Sequence, residues 1–165
     1  MKILALDPSG NFHEGKGITG WALFIDGKLK DFGDIRSEDF ETQILYWSRI
    51  LSKVRENHSW DEDDLEVVCE SYKLQASKAM AQSWSTLETP QLIGVIRYYC
   101  GDFGIPIHFQ DPSCKIRFSD EILVKQGIIE KRNKLYYCQD KKTNDHMRDA
   151  IRHGLYYTKY KGESK

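Results

Sequence analysis

No hydrophobic run in this sequence is long enough to cross a bilayer. Its hydrophobic residues, 40% of the chain, are broken up by charged residues that make up 30%, whereas a spanning helix needs about 20 consecutive apolar positions. The first apolar stretch, KILALD, stops at Asp7. That is too early for the apolar region of a secretory signal, so no secretion is expected. Proline is scarce, with 4 residues, and the apolar content is too high for a disordered chain. The four cysteines, Cys69, Cys100, Cys114 and Cys138, form no C-x-x-C pair. Their scatter excludes a zinc knuckle or a thioredoxin-type motif and predicts the reduced thiols of a cytoplasmic protein. A large net charge is also missing: 24 Lys and Arg stand against 25 Asp and Glu, a net of −1. Taken alone, that balance speaks against a polyanionic partner.

The 165 residues fit one domain of roughly 100–200 residues, and a chain of this size hides about 70% of its surface without a metal or disulfide staple. The charge is segregated along it. Residues 1–110 carry 11 basic and 17 acidic side chains, a net of −6, and residues 111–165 carry 13 and 8, a net of +5. A site that holds cations on carboxylates and also approaches phosphates needs such a division.

Met1 to Asp7 reads as a strand buried on both faces and ended by the turn Pro8-Ser9-Gly10. ITGWALFIDGKLKDFGDI predicts two strands joined at Asp26-Gly27, a dipeptide suited to a tight hairpin. Phe40, Ile44, Trp47, Leu51 and Val54 recur with helical spacing. LEVVCES is a second buried strand, ended by Glu70. The segment from about Ala76 to Cys100 has helical spacing at Met80, Trp84, Leu87, Leu92, Val95 and Tyr99, with an interruption or restart at Pro90. IPIHF predicts a further strand, Ser119 to Gly127 a short helix, and Ile128 to Lys142 a basic, weakly patterned stretch. A last helix, capped by Thr143 or Asn144, runs from Asp145 to about Tyr160, with Ala150, Ile151, Leu155 and Tyr156 offered to the core. The order βββαβα(α)βαα points to one α/β domain around a mixed sheet.

Acids stand where elements end or begin: Asp7 after the first strand, Glu70 after the fourth, and Asp145, His146 and Asp149 in the first turns of the last helix. His146 and Asp149 share one helical face and Asp145 and Asp149 another, so either pair can point at the sheet rim. Burying such carboxylates together is costly unless cations neutralise them. Oxygen ligands favour Mg²⁺ or Mn²⁺, and one imidazole tilts the choice slightly toward Mn²⁺. Each residue also has a structural role open to it: Asp7 as a turn opener, Asp145 as a helix-dipole partner, His146 as an ordinary surface histidine.

LALDPSG with ITGWALF, the strand VVCES and the helix start HMRDAIRHGLYY together resemble RuvC-type Holliday junction resolvases of the ribonuclease H-like superfamily. TPQLIGVIRYYCGDFGIPI resembles that family's Gln- and Gly-bearing helix and the strand that follows it. The likeness spans nearly the whole chain and implies an α/β, ribonuclease H-like fold, a mixed five-stranded sheet flanked by helices, as a single nuclease domain over residues 1–165. It puts Asp7, Glu70, His146 and Asp149 on the four metal-ligand positions, with Asp145 as the alternative to His146, and two Mg²⁺ or Mn²⁺ ions per site. Lys115, beyond Pro112, falls on a catalytic, DNA-contacting lysine position, and Tyr72, Lys73, Lys78 and Arg117 join it as expected DNA contacts. Lys131, Arg132, Lys134, Lys141 and Lys142 extend the basic set.

The implied function is metal-dependent resolution of four-way and related branched DNA by a homodimer, in a compact, phage-encoded member of the family. The implied products carry 5′-phosphate and 3′-hydroxyl ends. The alternatives are a non-cleaving branched-DNA-binding module and an RNA-directed nuclease of the same fold. Two departures stand out: residues 11–16 (NFHEGK) are inserted beside the site, and SYKLQASKA after Glu70 differs from the family's junction-opening run.

Overall fold

The computed structural model describes residues 1–13, 15–59, 64–72 and 87–161. Strands β1 (Lys2–Asp7), β2 (Ile18–Ile25) and β3 (Lys28–Arg36) lead to helix α1 (Gln43–Asn57) and strand β4 (Leu65–Glu70). Helix α2 (Glu88–Asp102), strand β5 (Ile107–Gln110), a 3-10 segment over Pro112–Phe118 and helix α3 (Asp120–Lys125) follow. Three short strands, β6 (Glu130–Arg132), β7 (Leu135–Cys138) and β8 (Lys141–Lys142), then precede the final helix α4 (Asp145–Tyr160).

The main sheet has the order β3-β2-β1-β4-β5. The β1–β2–β3 meander is antiparallel and β1, β4 and β5 run parallel. The expected mixed five-stranded α/β sheet is therefore present. The β2–β3 hairpin turns at Asp26 and Gly27, both at positive φ, which is the conformation that dipeptide was expected to supply.

Period-two alternation sends the side chains of β1 to two cores. Ile3 and Ala5, with Phe24 and Val68, meet Ala150 and Ile151 of α4 and Leu123 of α3. Leu4 and Leu6, with Val67, meet Tyr46, Ile50 and Val54 of α1 and Leu92 and Ile96 of α2. Helices cover both faces, so the continuous apolar run of β1 is the pattern its position requires.

Two local expectations change. Helix α1 turns inward the face of Tyr46, Ile50 and Val54 rather than that of Ile44, which is 74% exposed. Tyr46 decides the rotation, because its hydroxyl donates to the Ser9 carbonyl at 2.7 Å and lies 2.9 Å from Thr19 Oγ1. The stretch from Ile128 to Lys142 contains a second, antiparallel sheet, β6-β7-β8, whose strands are too short to show alternation. The earlier part of the helix expected from Ala76, with Met80 and Trp84, lies outside the described residues. Helix α2 begins at Glu88, and Pro90 occupies its first turn, where a missing N–H costs nothing.

Candidate active site

Parallel strands β1, β4 and β5 end at one rim, with Asp7, Glu70 and Gln110 as their last residues. The start of α4 is brought to the same rim. Asn144 caps that helix by accepting from the Met147 N–H at 2.9 Å, which sets its phase. Gly20, paired with Asp7 in the sheet register, lets the helix settle there: a Cβ at residue 20 would lie 2.0 Å from the His146 carbonyl oxygen. Thr19 anchors the turn after Asp7, since its Oγ1 accepts from the Ser9 N–H at 3.1 Å. The Thr-Gly pair thus has two jobs, one on each side of the acidic strand end.

Asp7 is 7% exposed, and its Oδ2 lies 2.7 Å from His146 Nδ1. Lys115, on the 3-10 segment, places Nζ 2.6 Å from Glu70 and 2.7 Å from Asp149, with Asp7 at 3.9 Å. Asp149 Oδ1 is bound by Arg152, which also donates to the Phe118 carbonyl at 2.9 Å. Burial raises the Asp7 pKa above the ordinary carboxylate range, reinforced by Glu70 and Asp149 and opposed by His146 and Lys115. His146 is held above the usual imidazole value, first by its hydrogen bond to Asp7. Burial works upward on Glu70 too, but hydrogen bonds from His153 and Lys115 outweigh it and bring its pKa down to about 2.

The structure therefore brings together Asp7, Glu70, His146, Asp149 and Lys115. It does not bring in Asp145, whose carboxylate is 86% exposed and paired with Arg148. Arg148 also binds Asp120 at 2.9 Å, so the side chain at the helix start is drawn outward. Arg117 stays out of the cluster as well, with its guanidinium 5.1 Å from the Tyr160 ring centre. Tyr72 is half-buried, and Lys73 and Lys78 lie outside the described residues. Of the wider basic set, Arg132 is paired with Glu130 and Asp140, and Lys141 donates to the Phe32 carbonyl at 2.9 Å. Lys131, Lys134 and Lys142 are exposed. The inserted loop is tied to α2: the Glu88 carboxylate accepts from the His13 N–H at 3.4 Å and lies 3.3 Å from His13 Nε2.

One residue of the site was not anticipated. His153, fully buried, places Nε2 2.6 Å from Glu70 Oε2. Its signal was its position, four residues after Asp149 and seven after His146 on one helical face. An oxygen of Asp7, an oxygen of Glu70 and a ring nitrogen of His153 lie within 4.8 Å of one another, a spacing that can hold a metal ion.

These residues fit a hard divalent cation. The donor set is carboxylate oxygen with imidazole, and a cation already stands among the acids in the form of the Lys115 ammonium. Buried carboxylates gather in this way only around positive charge.

The chain superposes on RuvC from Thermus thermophilus. Against that protein in complex with a Holliday junction substrate, the TM-score is 0.66 at 14% identity, covering 99% of this chain and 96% of the other. Against another Thermus thermophilus RuvC structure it is 0.64 at 15%, covering 98% and 95%. The fold is that of RuvC, the ribonuclease H-like α/β sheet. No family model and no curated protein matches the sequence. Among the described residues, no helix is long and apolar enough to cross a membrane.

Proposed function

We propose that this chain is a structure-selective endonuclease that resolves Holliday junctions and related branched DNA by divalent-metal-dependent phosphodiester hydrolysis. The observation that carries this reading is the convergence of Asp7, Glu70 and Asp149, from three separate elements, on one cationic point at the rim of a RuvC-like sheet. Asp7, Glu70, Asp149 and His146 would hold two Mg²⁺ or Mn²⁺ ions. When bound, such a pair activates the attacking water and stabilises charge on both the attacking and leaving oxygens.

The chain's own residues supply the remainder. Lys115 carries positive charge to the place where the scissile phosphate must lie, and its pKa, lowered by burial but raised more strongly by Asp149 and Glu70, keeps it protonated. Arg152 and Lys115 grip the two oxygens of Asp149 separately, which orients that carboxylate. His146, hydrogen-bonded to Asp7, keeps the buried acid aligned toward the rim. The products are a 5′-phosphate and a 3′-hydroxyl.

A four-way junction is close to two-fold symmetric, so paired incisions call for a C2 dimer with one site per protomer. Exposed Lys131 and Lys142 on the small sheet, which leads directly into α4, and Lys134 in the turn between β6 and β7 would meet phosphates and position DNA without reading sequence.

The test compares cleavage rates on a synthetic four-way junction, linear duplex DNA and an RNA–DNA hybrid, each with Mg²⁺ and with Mn²⁺. Preferential, paired incision of the junction is expected. Faster cutting of the hybrid would move the assignment to an RNA-directed nuclease, and junction binding without incision by any metal would reduce it to a binding module.

A further inference from the structure

Glu70 is held by a chain of buried polar groups. His153 is fully buried on α4. Its Nε2 lies 2.6 Å from Glu70 Oε2, and its Nδ1 lies 2.8 Å from Gln110 Oε1 and 3.3 Å from Cys114 Sγ. Gln110 is buried at the end of β5, in register with Glu70 on β4. Cys114 is buried on the 3-10 segment that carries Lys115. Two elements, β5 and the 3-10 segment, thus back an imidazole on α4 that meets one carboxylate oxygen.

We propose that His153, backed by Gln110 and Cys114, is a positioning residue that fixes the orientation of the Glu70 carboxylate at the divalent-cation site. The inference rests on the nuclease reading above and assigns a role outside the acids and His146.

The hydrogen-bond inventory constrains the ring. Glu70 as a carboxylate only accepts, so Nε2 carries the proton in either charge state of His153. With the ring neutral, Nδ1 accepts from the Cys114 thiol, and the Gln110 amide turns its NH₂ group toward the ring. With the ring charged, Nδ1–H donates to Gln110 Oε1. Either arrangement fixes the ring plane, and so the direction of the Nε2–H bond.

His153 and Lys115 both act on Oε2. The oxygen that meets the Lys115 cation is thus the one His153 holds, and an outer group that grips a carboxylate in this way orients it for a metal ion. A buried histidine on an apolar helix face could instead serve packing alone. Packing would not need Gln110 and Cys114 on the far nitrogen, nor the Glu70 contact on the near one.

The test measures Mn²⁺ affinity by the electron paramagnetic resonance of free Mn²⁺, with DNA absent, for the full chain and four variants, each checked for folding by its thermal melt. Asp7→Asn reports on the site itself. His153→Leu removes the Nε2–H donor, His153→Gln restores a donor near that position, and Gln110→Met frees the back of the ring. The expected result is a loss of Mn²⁺ affinity of about 10–100-fold in His153→Leu, the scale seen when an outer-shell partner is removed. A smaller loss is expected in Gln110→Met, and near-wild-type affinity in His153→Gln.

If His153→Leu does not fold, His153→Gln and Gln110→Met decide alone. Unchanged affinity in a folded His153→Leu or, in its absence, in Gln110→Met overturns the inference and leaves the nuclease reading standing. So does a folded His153→Gln that binds no better than His153→Leu or, where that variant is lost, than Gln110→Met. Wild-type binding no tighter than that of Asp7→Asn overturns the nuclease reading, and this inference with it.

Discussion

Replacing Gly20 with alanine tests how the site is assembled. The added Cβ would sit 2.0 Å from the His146 carbonyl oxygen, 2.3 Å from its carbon and 2.9 Å from the Met147 nitrogen. All three are backbone atoms at the start of α4, so no side-chain rotation relieves the clash. Ordinary contact begins near 3.4 Å, so the helix start must retreat by roughly 1.4 Å from β2. His146 Nδ1, now 2.7 Å from Asp7, would leave hydrogen-bond range. The packing of Met147, Ala150 and Ile151 against the sheet would loosen with it. Overpacking of this kind costs about 1–3 kcal/mol, and each kcal/mol moves the melting temperature of a chain this long by about 2–4 °C. Thermal melts followed by circular dichroism should therefore fall by roughly 2–12 °C. A displacement of this size at a site also slows reaction by about 100-fold, which single-turnover junction cleavage would read. A Gly20→Ala protein that melts within a degree of wild type and cuts at the same rate would refute the idea that α4 rests on the backbone of β2.

Gly94 is the opposite case: it lies exposed on α2 with nothing within 4 Å of an added Cβ. Gly94→Ala should raise stability by about 0.5–1 kcal/mol in urea titrations through helix propensity alone, and a loss would show that this face is covered. Asp120 joins Arg148 and Arg152, both nearly buried, whereas Asp145 is exposed. Denaturant midpoints should show Asp120→Ala costing about 2 kcal/mol or more and Asp145→Ala under about 0.5, and equal costs would refute the distinction. Tyr46 is fully buried, and burial, opposed by hydrogen bonding with Thr19, raises its pKa to about 12. Because the folded value exceeds the ordinary value of 10, its contribution is complete below pH 10 and is lost as pH rises through about 12, at about 1.4 kcal/mol per unit. Tyr46→Phe should flatten that alkaline loss in urea midpoints, and identical slopes would contradict it.

Much of the site can be read from residues at element boundaries. Asp7 and Glu70 are conspicuous because each ends a buried apolar run, where a charge has no packing purpose. His146 and Asp145 could not be separated by sequence, since both lie within the first turn. Their fates are set by Asn144, which fixes the helix phase, and by Arg148, which draws Asp145 into solvent contact. Nothing in the sequence singles out His153, because its partners Gln110 and Cys114 are 43 and 39 positions away in the chain. The rotation of α1 was likewise hidden: its apolar residues allow more than one inward face, and tertiary hydrogen bonds from Tyr46 choose between them. The β6-β7-β8 sheet escaped notice because strands of three, four and two residues carry too little alternation.

The central claim is that the Asp7 cluster cuts branched DNA with divalent metal. Incision of a synthetic four-way junction in Mg²⁺, by the wild-type chain and by Asp7→Asn, tests it most directly when paired with thermal melts in the absence of metal. Asparagine keeps the shape and an acceptor for His146 but removes a buried charge beside Glu70 and Asp149. The variant should therefore melt no lower than wild type and yet leave the junction intact, while wild type makes paired, ligatable nicks. A wild-type chain that binds the junction without nicking it, or an Asp7→Asn chain that cuts at the wild-type rate, would contradict the account.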